Sequence, residues 1–151
     1  MIYINIKEKE LLKSKEDMKV FDRIKTYDKF NCNRNYIGLL GEMVLHRYMS
    51  NYNIKHNWIP FIKKGTNWPD FYISDISIDL KTSTSGDMWV PKTVPHDIYI
   101  GAQIDTQAEV MVIHGWMTKE CLMKRKTRVV PKEELIPIEY LIGVYKGDKL
   151  C

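Results

Sequence analysis

The stretch PDFYISDISIDLKTS, residues 69–83, carries aspartates and a lysine inside an otherwise apolar, strand-forming run. Side chains alternate along a strand, so Ile76, Ile78 and Leu80 share one face while Ser77, Asp79 and Lys81 share the other. With Ser74-Asp75 as a two-residue turn, Ile73 opposes Ile76, Tyr72 opposes Ser77, and Asp70 opposes Asp79. Directly opposed residues hold their Cβ atoms about 5 Å apart, and two carboxylates at that separation repel by roughly 3 kcal/mol at an effective dielectric of about 20. Protonation of one carboxyl, compensation by Lys81, or a cation between the pair would each relieve the repulsion. A hard divalent ion such as Mg²⁺ suits the last arrangement, since it takes one or two carboxylates and keeps several waters. The plain alternative is a solvated sheet face on which Asp79 and Lys81 are ordinary neighbours. Ser-Asp is a weaker turn signal than Asn-Gly, and a slip of one residue breaks the pairing.

Upstream, YIGLLGEMVLHRYM (36–49) sets Ile37, Leu40, Gly41, Val44, Leu45, Tyr48 and Met49 on one helical stripe. Gly38 and Gly41 each weaken such a helix by roughly 1 kcal/mol against Ala, a cost that close approach to a sheet would justify. Glu42 falls at the edge of the buried stripe, which brings a third carboxylate near the apolar face; an edge glutamate is also common on any amphipathic helix. Residues 5–29 read as an earlier helix through Leu11, Leu12, Met18, Phe21 and Ile24, with the polar NCNRN (31–35) as punctuation. Downstream, WIPFI (58–62) reads as a short strand and 85–97 as an irregular loop with two prolines. The near-continuous apolar runs 98–105 and 109–117 suit central strands covered on both faces, and Thr118 is a candidate cap for a short helix KECLMKRK. The order α-α-β-β-β-β-β-α predicts one mixed α/β domain over residues 1–151, with an N-terminal helical extension over about 1–30.

Bulk properties narrow the class. The chain has 151 residues, 44% hydrophobic and 28% charged, which excludes a disordered chain. Lys and Arg exceed Asp and Glu by 23 to 19, a net +4 that permits an anionic partner without requiring one. The opening MIYINIKEKELLKSKED is charged too early for a secretory signal, and no apolar run approaches the length of a membrane span. A soluble, cytoplasmic protein with no membrane partner is expected, and the abundance of Lys, Ile, Asn and Tyr fits an AT-rich viral or bacterial genome. Cys32, Cys121 and Cys151 are odd in number and far apart, so neither a disulfide framework nor a zinc knuckle is expected; Cys32 and Cys121 read as small apolar residues.

Taken together, GLLGE (38–42), PD (69, 70) and DLK (79–81) resemble the motifs of the PD-(D/E)xK, or restriction-endonuclease-like, nuclease superfamily. The segments VIHGWMTKECL (112–122) and VVPKEELIPIEYL (129–141) look similar to the corresponding parts of small members. The resemblance spans roughly residues 36–141 and leaves the N-terminal helix uncovered. It implies a restriction-endonuclease-like core with a central mixed sheet of about five strands flanked by helices. It also implies that Asp70, Asp79 and the main-chain carbonyl of Leu80 bind Mg²⁺ (or Mn²⁺). Lys81 would orient or help deprotonate the attacking water, and Glu42 would hold a metal-bound water or a second metal. The implied activity is hydrolysis of DNA phosphodiesters, with structure-selective cutting favoured by the small size. Homodimers are frequent among relatives of this length. Contacts to nucleic acid are expected from Lys63 and Lys64, from Ser83 and Gln103, and from Lys124, Arg125, Lys126 and Arg128, where salt-sensitive phosphate contacts would supply affinity. Trp68 and Trp89 offer stacking surfaces or core packing. His96, in the proline-containing loop, is the histidine that would serve as an auxiliary group. The competing expectation is a nuclease-fold module that binds nucleic acid or a protein without cleaving.

Overall fold

The apolar runs at the middle of the chain become the central strands of a six-stranded mixed sheet. The computed structural model describes residues 1–24, 32–60 and 67–138, with side chains at 1–18, 36–60 and 67–138. In chain order the elements are β1 (Ile2–Asn5), α1 (Glu8–Ile24), α2 (Cys32–Asn51), β2 (Asn57–Trp58), β3 (Phe71–Ile73), β4 (Ile76–Ser83), β5 (Met88–Trp89), β6 (Ile98–Asp105), β7 (Val110–Thr118), α3 (Lys119–Met123) and β8 (Val129–Val130). The sheet order is β1-β7-β6-β4-β3-β2, and β5 pairs with β8 in a separate two-stranded ribbon. Among the described residues only β4 and β6 run parallel; every other neighbouring pair in both sheets is antiparallel. Among the described residues no helix is long and apolar enough to cross a membrane.

Each face of the sheet has its own cover. Ile78 and Leu80 of β4 pack with Leu40, Val44 and Leu45 of α2, together with Phe71, Ile98 and Ile100, in the principal core. Gly41 is what lets α2 lie so close, because a Cβ there would stand 2.4 Å from Cγ2 of Thr82. Gly38 has no such role: nothing lies within 4 Å of a Cβ placed on it. On the opposite face a second cluster joins Met88 and Val90, Tyr99 and Met117, Leu122, Val130 and Leu135. The cross-strand pair Gly101 and Gly115 makes room there for the segment after β8, with Leu135 seated over both.

Several elements depart from the sequence reading. Residues 2–5 form an edge strand against β7, with Ile2 opposite Ile113, where a helix was expected from residue 5. Four residues carry too short an alternation to stand out beside a charged helical run. Helix α2 starts at Cys32, inside the polar NCNRN, so that knot begins the helix and does not separate two. Residues 25–31, 61–66 and 139–151 lie outside the described residues, and with them parts of the expected first helix, of the 58–62 strand and of the C-terminal segment. Strand β2 is confined to Asn57–Trp58. The expected loop 85–97 contains β5, whose partner β8 lies some forty residues on (Met88 opposite Val130, 130 − 88 = 42). Cys121 is disulfide-bonded and not merely a small apolar side chain; spacing along the chain does not disclose which sulfurs meet. The expected cap holds, since the Thr118 hydroxyl accepts from the Cys121 amide at 3.2 Å and opens α3.

Candidate active site

The hairpin register is the one expected from the sequence: Ile73 faces Ile76, Tyr72 faces Ser77 and Phe71 faces Ile78. At Asp70 it slips. The Asp70 amide donates to Ile78 O at 3.0 Å, one residue short of the pairing that would set it squarely against Asp79, as an added residue in one strand does. Pro69 has no N–H to offer the ladder, and the Asp70 side chain takes over part of the pairing. Its Oδ2 accepts from the Leu80 amide at 2.6 Å, while its carbonyl accepts from Ile59 N at 2.9 Å. Asp70 is thus tied to Ile59, just after β2, and to β4, and is only 5% exposed.

Asp79 lies beside Tyr99, and Lys81 beside Gly101, in the β4–β6 register. Both point to the face away from α2, because the intervening Leu80 packs under it. Lys81 Nζ is 2.6 Å from Asp79 Oδ2, and its side chain stays 30% exposed. Burial pushes the Asp79 carboxyl up to about 7. The charge of Asp70 pushes the same way, Lys81 opposes it, and a hydrogen bond to Asp70 adds to the rise. Two of the three ways of relieving carboxylate repulsion therefore operate together: Asp79 retains its proton to near neutrality, and an ammonium faces it. Tyr99 shares this environment. Burial pushes its phenol up to about 12, and its hydroxyl accepts from the His96 amide at 3.2 Å.

Glu42 is buried, but its carboxylate accepts from Trp58 Nε1 at 3.2 Å, and it stands on the helix that covers the other face. The Trp58 ring in turn stacks on His46 at 4.6 Å. Among the described residues no group of three or more His, Cys, Asp or Glu side chains is disposed to hold a metal ion. The structure brings Asp70, Asp79, Leu80 and Lys81 together through these bonds, while Glu42 stands on α2 beside Trp58. The helical pattern placed Glu42 at the margin of the buried stripe, but it carried no information on which indole would claim it.

The remaining residues fall into separate places. Ser83 Oγ accepts from Gly86 N at 2.8 Å and donates to Asp87 O at 3.0 Å, so it shapes the loop after β4. Gln103 Nε2 donates to Thr84 O at 2.9 Å, and its Oε1 lies 3.0 Å from His114 Nε2. Arg125 is paired with Glu134 at 2.6 Å, while Lys124, Lys126 and Arg128 are exposed. Lys63 and Lys64 lie outside the described residues. His96 is 6% exposed, buried within its loop. Trp68 and Trp89 are both exposed, at 52% and 59%. Lys81 opens on a cavity of about 670 Å³ whose walls include Ser83, Trp89 and Val129. The β5–β8 ribbon that supplies this rim was not anticipated. Its signal is two residues per strand, in a loop punctuated by prolines.

Neither a family model, nor a curated protein, nor a solved structure matches the chain.

Proposed function

We propose that the protein is a metal-dependent nuclease of the restriction-endonuclease-like type, hydrolysing phosphodiester bonds of DNA inside the cell that makes it. The observation that carries this reading is the buried Asp70–Asp79 pair on adjacent strands, with Lys81 held 2.6 Å from Asp79 beside an open cavity. A buried carboxyl pair retaining a proton to about pH 7 is a donor set that a hard divalent cation can take, by displacing that proton. Asp70, Asp79 and the Leu80 carbonyl would hold Mg²⁺ or Mn²⁺. The chemistry that ion supplies when bound is polarisation of a phosphoryl oxygen and a more acidic water. Lys81 brings a fixed cation to the mouth of the cavity, where charge on a phosphate can be met without reorganisation. The hydrogen bond from the Leu80 amide holds the Asp70 carboxylate in position.

The test is incubation with Mg²⁺ or Mn²⁺ and a panel of plasmid, linear duplex, single-stranded and branched DNA, with Asp79→Ala and Lys81→Ala alongside. Cleavage abolished by both substitutions is the expected result, and cleavage that survives both rejects the reading. A second reading is favoured by one observation: the Lys81 ammonium already compensates Asp79 without any cation. On that reading the fold binds nucleic acid and does not cut it, and absence of cleavage on every substrate selects it.

A further inference from the structure

The β5–β8 ribbon stands between two hollows. Trp89 and Val129, opposite each other in the ribbon, line the cavity that contains Lys81. Their chain neighbours Val90 and Arg128 line a second groove of about 650 Å³. Its floor belongs to the same face as Asp79, because Val90 and Leu122 pack with Tyr99, the β6 partner of Asp79. Lys92, Lys119, Arg125, Lys126 and Arg128 line this groove, and no carboxylate does among the described residues. Arg125 is engaged by Glu134 at 2.6 Å, which leaves Lys92, Lys119, Lys126 and Arg128 to meet an anion. The groove is thus a positively charged channel. Between channel and cavity, Trp89 is 59% exposed and Val129 46%, which makes an exposed apolar platform. In the cavity wall Asp87 is engaged by the Lys132 amide at 3.2 Å.

A groove of cations tracks a sugar-phosphate backbone, and an exposed indole stacks on a base of any sequence. A duplex offers phosphates to such a surface but keeps the faces of its bases in the stack. We propose that the groove and the ribbon bind single-stranded DNA, with phosphates along Lys92, Lys119, Lys126 and Arg128 and a base on Trp89. The adjoining cavity then receives an unpaired strand, a clause that rests on the nuclease reading; the binding itself does not. Polarisation of a labelled oligothymidylate, against a blunt duplex of equal length and in EDTA so that nothing is cut, tests it. The single strand is expected to bind at least about tenfold more tightly. Trp89→Ala should lose about tenfold, and Trp89→Phe should keep most of the affinity. Replacing Lys126 and Arg128 together by Ala should reduce the slope of log affinity against log salt by about 1.4. Equal or tighter duplex binding, an unchanged Trp89→Ala, or no binding at all overturns the proposal. Binding as described without cleavage rejects only the nuclease reading; cleavage without oligothymidylate binding rejects only this one.

Discussion

Asp79 shows how one residue can be set against the stability of its own fold. Its carboxyl is held at about 7, against an ordinary value of 3.8. Between roughly pH 4 and pH 7 the unfolded chain has released this proton while the folded chain keeps it. Raising the pH through that window therefore costs stability, and above it the whole penalty is present. Asp79→Asn, which cannot ionise, should melt at a higher temperature than the native chain at pH 8, by the equivalent of a few kcal/mol. The advantage should shrink towards pH 4, which melting curves across the range would check; a constant difference would contradict the burial of this charge. Much of this was legible in the sequence, where alternation and turn length put Asp70, Asp79 and Lys81 in one neighbourhood. The slip at Asp70 was not, because it depends on a proline without an N–H and on a side chain replacing a main-chain acceptor.

At the scale of elements, α2 and β4 fit through the difference between two glycines that the sequence does not distinguish. Gly38→Ala should gain up to about 1 kcal/mol from helix propensity alone, since a Cβ there meets nothing within 4 Å. Gly41→Ala gains the same propensity but drives its methyl to 2.4 Å from Thr82 Cγ2, on a branched side chain with little freedom to turn away. A net loss of about 1–2 kcal/mol is expected for it. Chemical denaturation of both variants separates the cases, and equal shifts would mean that α2 is not pressed against the sheet at Gly41. The long strands β4, β6 and β7 and the α3 cap were readable because eight or nine residues of pattern outweigh local noise. Strands β1, β5 and β8 were not, since two to four residues show a period only once their partners are known.

For the molecule as a whole, the N-terminal segment is part of the sheet's framework. Arg47 of α2 holds it: Nε is 2.6 Å from Glu10 Oε1, and Nη2 donates to Glu10 and to the Asn5 carbonyl. Glu10 Oε2 also accepts from Lys7 N at 2.8 Å. With Glu10 almost wholly buried, Arg47→Met should cost about 3 kcal/mol, most of it from the carboxylate left without its partner. Urea unfolding of that variant measures the loss, and a change below about 0.5 kcal/mol would place the pair among weak surface bridges. The clamp also bears on how the chain is built. Ile2 and Ile113 are cross-strand partners 113 − 2 = 111 residues apart, so β1 is synthesised long before the strand it pairs with. Until β7 has been made, the β1 edge has no partner, and closing so long a loop makes this docking a late event in folding. A chain stalled before residue 110 would display an open strand, and during synthesis that edge is where misassociation would begin.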